Sequence, residues 1–170
     1  MSLETYQALL ERFGQLAGVE DCAADEDGFC ALAFDEDIVV HLQLDADGAT
    51  ITLSGEAGEV DEDYSAELYG ALLEANTAYR TKNELVFGVD PGSRNIELYL
   101  RLPAEIDLSA FEAAMGGFVD ELEQWIAVVE RQGQVFDALV SARIDEAEFQ
   151  DDEAPPGDEA PPDGEKVIWG

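Results

Sequence analysis

Hydrophobic and polar positions recur along this chain with two periods. Leu3, Tyr6, Leu9, Leu10, Phe13 and Leu16 follow helical spacing, with Glu4, Gln7, Glu11 and Arg12 between them. Ser2 supplies an N-cap and Gly18 a stop, which predicts a helix over 3–17. Asp21 to Gly28 reads as an acidic loop. The mostly apolar run from Phe29 to Phe34 ends at the turn signal Asp35-Glu36-Asp37. From Ile38 to Leu44 the period falls to two. Ile38, Val40, Leu42 and Leu44 point one way, and Val39, His41 and Gln43 the other. Asp45-Ala46-Asp47-Gly48 predicts a hairpin turn, with glycine where a positive φ is needed. Ala49 to Gly55 alternates again, Ile51 and Leu53 opposite Thr50, Thr52 and Ser54. These three strands form an antiparallel meander with one apolar face and one more polar face.

A second helix is predicted after the acidic run Glu59 to Asp63, which suits a helix N-terminus. Its apolar stripe is Tyr64, Leu68, Tyr69, Leu72, Leu73 and Ala75, with fraying near 76–79. A second hairpin follows. Leu85, Phe87 and Val89 share a face of one strand, and Ile96, Leu98, Leu100 and Leu102 a face of the other. Asp90-Pro91-Gly92-Ser93 forms the turn between them, and Pro103 ends the return strand. A third helix starts at Asp107 or Ser109, the latter fitting a capping box with Glu112. Phe111, Met115, Phe118, Leu122, Trp125 and Val129 alternate spacings of four and three, the pattern of a packed seam. Gly116 and Gly117 cost that helix about 1 kcal/mol each relative to alanine, a cost offset where another backbone packs closely. Phe136, Leu139 and Val140 extend the helical pattern past Gln132-Gly133.

The order is helix, three strands, helix, two strands, helix. The fold class is therefore α+β, α-βββ-α-ββ-α, with a five-stranded antiparallel sheet packed against helices. This domain covers 1–144. From Asp145 the composition changes, and Asp152-Glu153-Ala154-Pro155-Pro156 recurs as Asp158-Glu159-Ala160-Pro161-Pro162. An acid-rich Pro/Gly sequence buries too little apolar surface to offset chain entropy, so 145–170 is expected to be a disordered tail. Its apolar end, Val167-Ile168-Trp169, is a candidate docking motif.

Charge narrows the function classes. Eight basic residues against 40 acidic ones give the 170-residue chain a net charge of −32. That excludes the counterion displacement on which nucleic-acid binding depends, and docking on an anionic membrane. The acidity splits into −23 over 1–144 and −9 over 145–170. High like charge keeps a protein dispersed and steers basic partners. No run approaches the roughly 18 apolar residues of a membrane span. The first residues also lack a signal peptide's basic and apolar regions. A cytoplasmic location is the expectation, with no membrane insertion.

Candidate chemistry is sparse. There is no P-loop, dinucleotide fingerprint, His-Glu-x-x-His or nucleophile elbow. Asp45-x-Asp47-Gly48 has the start of a calcium loop without its later ligands, which favours the hairpin turn. His41 has no serine, cysteine or second histidine at a telling spacing and reads as a rim histidine. Cys22 and Cys30, eight apart, match neither a zinc ribbon nor a redox motif and read as free structural thiols. No catalytic, cofactor or metal residues are assigned, and the chain is not read as an enzyme.

Between Leu72 and Trp125 the motifs become more specific. Leu72-Leu73-Glu74-Ala75-Asn76 ends the second helix. Phe87-Gly88-Val89-Asp90-Pro91 and Ile96-Glu97-Leu98-Tyr99-Leu100-Arg101-Leu102-Pro103 follow. Then come Leu108-Ser109-Ala110-Phe111 and Phe118-Val119-Asp120-Glu121-Leu122-Glu123-Gln124-Trp125. This run resembles the class I type III secretion chaperones, the CesT or Tir chaperone family. The family pattern is a helix ending in Leu-Leu-x-x-Asn, a Gly-x-Asp hairpin, a strand closing in Leu-Pro, and a final helix with Phe-Val and Trp. The order of elements agrees over residues 3–130. Two departures stand out: the bulky segment Arg80-Thr81-Lys82-Asn83-Glu84 before the hairpin, and the acidic Pro-rich tail.

The resemblance implies a homodimeric, non-enzymatic chaperone without a cofactor. It would bind the N-terminal region of a secreted effector and keep it soluble and secretion-competent. It places the dimer contact on the second helix and the strand after it, at Leu68, Leu72, Leu73, Leu85 and Val86, so Leu72→Asp should break the dimer. Contacts with the effector are expected from Leu10 and Phe13 of the first helix and from Leu32, Phe34 and Val39 of the first hairpin. The YbjN-like regulators share a related helix–hairpin–helix pattern. They leave open a regulatory or adaptor domain without a secreted client.

Overall fold

The computed structural model describes residues 1–19, 22–34, 38–79 and 85–131. Its elements are α1 (Leu3–Ala17), β1 (Phe29–Phe34), β2 (Ile38–Leu44), β3 (Thr50–Glu59), a 3-10 turn (Glu62–Tyr64), α2 (Ser65–Tyr79), β4 (Val86–Val89), β5 (Asn95–Pro103) and α3 (Leu108–Glu130). The strands form one sheet in the order β1-β2-β3-β5-β4, with every neighbouring pair antiparallel. This is the α+β arrangement that the sequence pattern predicts.

The boundaries of α1, β1 and β2 fall where periodicity places them, because local chemistry decides them. The Ser2 hydroxyl accepts from Thr5 N–H at 3.2 Å, and Gly18 closes α1 in the left-handed region at φ 72°. Other boundaries move. β3 runs four residues past Gly55, because Glu56 to Glu59 continue to pair with β5 across a register shift between Glu56 and Gly58. The N-cap of α3 is Asp107, whose carboxylate accepts from Ala110 N–H at 2.9 Å, rather than Ser109. Among the described residues nothing lies within 4 Å of a Cβ added at Gly116 or Gly117, so no described backbone approaches closely enough to offset their helix cost.

α1 and α3 pack on the sheet's apolar face, and α2 runs alongside the edge strand β4. Tyr6, Leu10 and Phe13 of α1 and Phe111, Met115, Phe118 and Leu122 of α3 are buried against Leu32, Val40, Leu42, Ile51, Leu53 and Leu98. Phe13 and Phe111 meet edge to face at 5.3 Å. Gly55 on β3 is the close-approach point, where an added Cβ would overlap Leu122 Cδ2. At the other end, Phe87 of β4 lies 4.4 Å from the Trp125 ring and 5.7 Å from Tyr79. The Tyr79 hydroxyl donates to Glu121 Oε2 at 2.6 Å, tying α2 to α3.

The predicted stripe of α2 is narrower than its composition. Leu68 and Leu72 are buried, whereas Tyr64 and Leu73 are exposed. Predictions for 80–84, for Phe136, Leu139 and Val140, and for the 145–170 tail lie outside the described residues.

Candidate functional site

Helices cover one face of the sheet, and no described element covers the other. The pleat sends alternate side chains onto that open face. Register aligns them in rows: Ala31, His41, Ser54, Tyr99 and Val86 in one, and Phe29, Gln43, Thr52 and Arg101 in the next. Ala33 stands opposite Val39. The β1–β2 end of the face is apolar, with Phe29 and Val39 exposed and the Phe29 ring 5.5 Å from His41. The β3–β5 end is polar. Asn95 donates to Glu56 Oε2 at 2.8 Å, and the Tyr99 hydroxyl donates to Glu97. Partial burial, then repulsion from Asp90 and Glu56, raises the Glu97 carboxyl above its usual range, with His41 opposing them.

The two edges differ. On β1, Gly28 C=O accepts from Leu44 N–H at 3.0 Å, so Cys30, Leu32 and Phe34 bond inward to β2 while Phe29, Ala31 and Ala33 direct their backbone outward. Phe29 is satisfied by its own loop. Its N–H donates to Asp25 Oδ1 at 2.9 Å, and its C=O accepts from Asp25 N–H at 2.8 Å. Among the described residues, none outside the β1–β2 ladder bonds to Ala31 or Ala33. Their side chains are small and exposed, and this edge carries no lysine, proline or bulge of the kind that blocks strand addition. The β4 edge is closed. Asn76 of α2 accepts from Phe87 N–H at 2.7 Å and donates to Phe87 C=O at 3.3 Å, taking the place of a neighbouring strand.

The residues named from sequence divide by burial. Leu10, Phe13 and Leu32 are packed in the core, and Phe34 is half-buried, while Val39 is 44% exposed on the open face. Leu68, Leu72 and Leu85 are buried within the chain, whereas Leu73 is 68% and Val86 53% exposed. Leu73 and Val86 both stand at the β4 end, since Leu73 lies one turn before Asn76. The sequence reading missed Phe29, Ala31 and Ala33, although strict alternation with Cys30 and Leu32 was a usable signal. It also missed the role of Asn76, which depends on a strand that comes later in the chain. No group of three or more His, Cys, Asp or Glu among the described residues could hold a metal ion. No described helix is long and apolar enough to cross a membrane.

Two helices on one face of a β1-β2-β3-β5-β4 antiparallel sheet, with a third beside the β4 edge, make this a secretion-chaperone fold. The chain belongs to the Tir chaperone protein (CesT) family, whose model matches residues 8–126. It is 29% identical over 118 residues to the transcriptional anti-antiactivator ExsC of Pseudomonas aeruginosa, covering 69% of this chain and 80% of that protein. The crystal structure of the ExsC-ExsE complex matches with a TM-score of 0.65 and 26% identity, over 75% of this chain and 95% of that one. The HopA1-SchA chaperone-effector complex matches with a TM-score of 0.64 over 75% of this chain and 97% of that one. Its 20% identity makes it a match of fold.

Proposed function

We propose that this chain is a non-enzymatic, cytoplasmic type III secretion chaperone that binds the N-terminal region of an effector and keeps it soluble and secretion-competent. The family match supports this reading, and the open β1 edge is the structural observation that carries it. An extended client adds a strand to Ala31 and Ala33, and its alternate side chains meet Phe29, Val39 and the rest of the apolar end of the face. The blocked β4 edge leaves β1 as the described edge open to it. Ordering an extended client costs entropy, so a large buried area is required.

The chaperone acts as a homodimer in this reading, with contacts from exposed Leu73 and Val86 supported by the buried Leu68, Leu72 and Leu85. The chaperone domain spans 1–144, and 145–170 is an acidic segment beyond it. A family model that ends at residue 126 supports that division.

The test is affinity capture from the source cells, followed by reconstitution with the captured protein. Wild type should hold one dominant client through its N-terminal region. Ala31→Pro removes an outward N–H without removing a β1–β2 hydrogen bond, and Ala33→Lys protects the edge by charge. Both variants should stay folded and lose the client. Folded variants that bind like wild type would sink the edge assignment.

Similarity to an anti-antiactivator favours a second reading. Here the chaperone also binds a regulatory protein, exchanged against the client. Competition between the client and a second captured protein would establish it.

A further inference from the structure

One row of side chains crosses the whole open face and changes character halfway. Register pairs Ala33 with Val39, Glu56 with Glu97, and Glu97 with Gly88. His41 pairs with Ser54, so one pleat further along each strand Val39 stands beside Glu56. From the β1 edge to the β4 edge the row therefore reads Ala33, Val39, Glu56, Glu97, Gly88. Its first half is small and apolar, with Val39 44% exposed and Phe29 also exposed further along β1. Its second half is two carboxylates, and Gly88 sets no side chain beyond them on β4.

Like charges directly opposite across a strand pair destabilise a sheet, yet here neutral donors fix the pair in place. Asn95 donates to Glu56 Oε2 at 2.8 Å, and the Tyr99 hydroxyl donates to Glu97 Oε2. These donors orient both carboxylates without neutralising either. Among the described residues neither carboxylate forms an ion pair, since Arg94 is engaged by Glu59 and Glu62, and Arg101 by Asp45. Asp90 from the neighbouring turn also repels Glu97, and His41, one pleat away on β2, acts in the other direction. Glu56 is exposed and Glu97 half-buried, so a cation arriving from outside reaches both.

We propose that the open face binds a client segment that turns off the β1 edge and crosses the sheet, with apolar side chains over Phe29 and Val39 and an arginine over Glu56 and Glu97. The inference rests on the client reading of the β1 edge and adds the chemistry of the segment that follows. Charge complementarity selects the occupant. An acidic segment is repelled, and a wholly apolar one would desolvate two carboxylates without a partner. A guanidinium offers a planar fork of donors that bridges two carboxylates on adjacent strands, which an ammonium does not. Spacing follows from the sheet. From a client strand beside β1 to the line between Glu56 and Glu97 is about three and a half strand spacings, or about 17 Å. At about 3.3 Å per extended residue, the arginine falls about five residues past the edge-paired block.

The test is fluorescence anisotropy of the full chain with a labelled peptide, Val-Thr-Val-Thr-Val-Ala-Leu-Ala-Ser-Arg-Gly, and with its reversed order, at about 0.15 M salt. Citrulline in place of the arginine keeps the shape and removes the charge. Wild type should bind the arginine form of one order about tenfold more tightly than its citrulline form. Glu56→Gln with Glu97→Gln keeps an acceptor for Asn95 and for Tyr99, so the double variant should stay folded, and it should cut that advantage to about twofold. Glu4→Gln with Glu11→Gln on α1 removes the same charge from an exposed helix and should leave the advantage intact. Ala31→Pro separates the two readings: an error in the edge assignment alone leaves that variant binding like wild type, while the arginine advantage still follows Glu56 and Glu97. Equal binding of the arginine and citrulline forms would overturn the proposal, as would an equal loss in the face and α1 double variants. Self-association of wild type that the face double variant abolishes would give the face to a second copy and overturn it too.

Discussion

Asn76→Ala tests the unequal edges of the sheet. The wild-type amide makes two hydrogen bonds to Phe87, accepting from N–H at 2.7 Å and donating to C=O at 3.3 Å. Both are partly buried, so truncation leaves a donor and an acceptor that water reaches poorly. At about 1 kcal/mol per hydrogen bond the loss is about 2 kcal/mol. Alanine is the better helix former and returns about 0.5 kcal/mol. The net destabilisation is about 1.5 kcal/mol, a fall of about 5 °C in Tm for a domain of this size. Urea unfolding followed by tryptophan fluorescence reads it, because Trp125 packs on Phe87 at 4.4 Å. The m-value should not change. A second signature is specific to the edge: with Phe87 uncovered, sedimentation should show concentration-dependent association beyond that of wild type. Asn76→Asp keeps the acceptor for Phe87 N–H but sets a carboxylate against Phe87 C=O. It should be at least as unstable at neutral pH. The reasoning fails if Asn76→Ala stays within about 0.5 kcal/mol of wild type and sediments as wild type does.

Three further outcomes follow from the packing. Gly55→Ala forces a Cβ into Leu122 Cδ2 and should destabilise by about 1–3 kcal/mol in chemical denaturation, since α3 cannot approach β3 as closely. Leu72→Asp buries an unpaired charge in the chain's own core and should unfold it, whereas Leu73→Asp should leave the far-UV spectrum intact and yield a monomer by light scattering. In the 90–93 turn, N–H groups of Ser93 and Gly92 and the Ser93 hydroxyl donate to Asp90 and hold its carboxyl below the usual range. A depressed folded pKa stabilises above the unfolded value of about 3.9 and is lost as pH falls through the folded one. Asp90→Ala should therefore be less stable than wild type at neutral pH, with the gap closing below about pH 4 in pH-dependent thermal melts.

Glu97 and Asp90 show how the same side-chain type takes opposite roles on one hairpin. Asp90 is stabilised as an anion by donors of its own turn. Glu97 stands opposite Glu56 on the open face, partly desolvated and repelled. A basic segment of a client laid across that end would relieve the repulsion, which gives the high acidity of the chain a local use.

The amino-acid sequence by itself determined the elements and the family. Period-3.6 and period-2 patterns, caps and turn residues act within a few positions of one another. Ser2, Gly18 and the Asp45–Gly48 turn therefore marked boundaries without knowledge of the rest of the chain. The Leu72–Trp125 motifs carried the resemblance to the Tir chaperones. Tertiary structure decided which of those residues are free to act. Leu72 and Leu73 are adjacent and chemically identical, yet α2 turns one into the core and the other to solvent. Leu10, Phe13 and Leu32 looked equally available until the assembled core buried them. The extension of β3 past Gly55 depends on β5, forty residues away in sequence, and Asn76 acquires its role only when β4 comes alongside α2. Periodicity reports which side of an element is apolar. It carries no information on which other segment covers that side, or which sheet edge is left open, because those are settled by pairings between residues far apart in the chain.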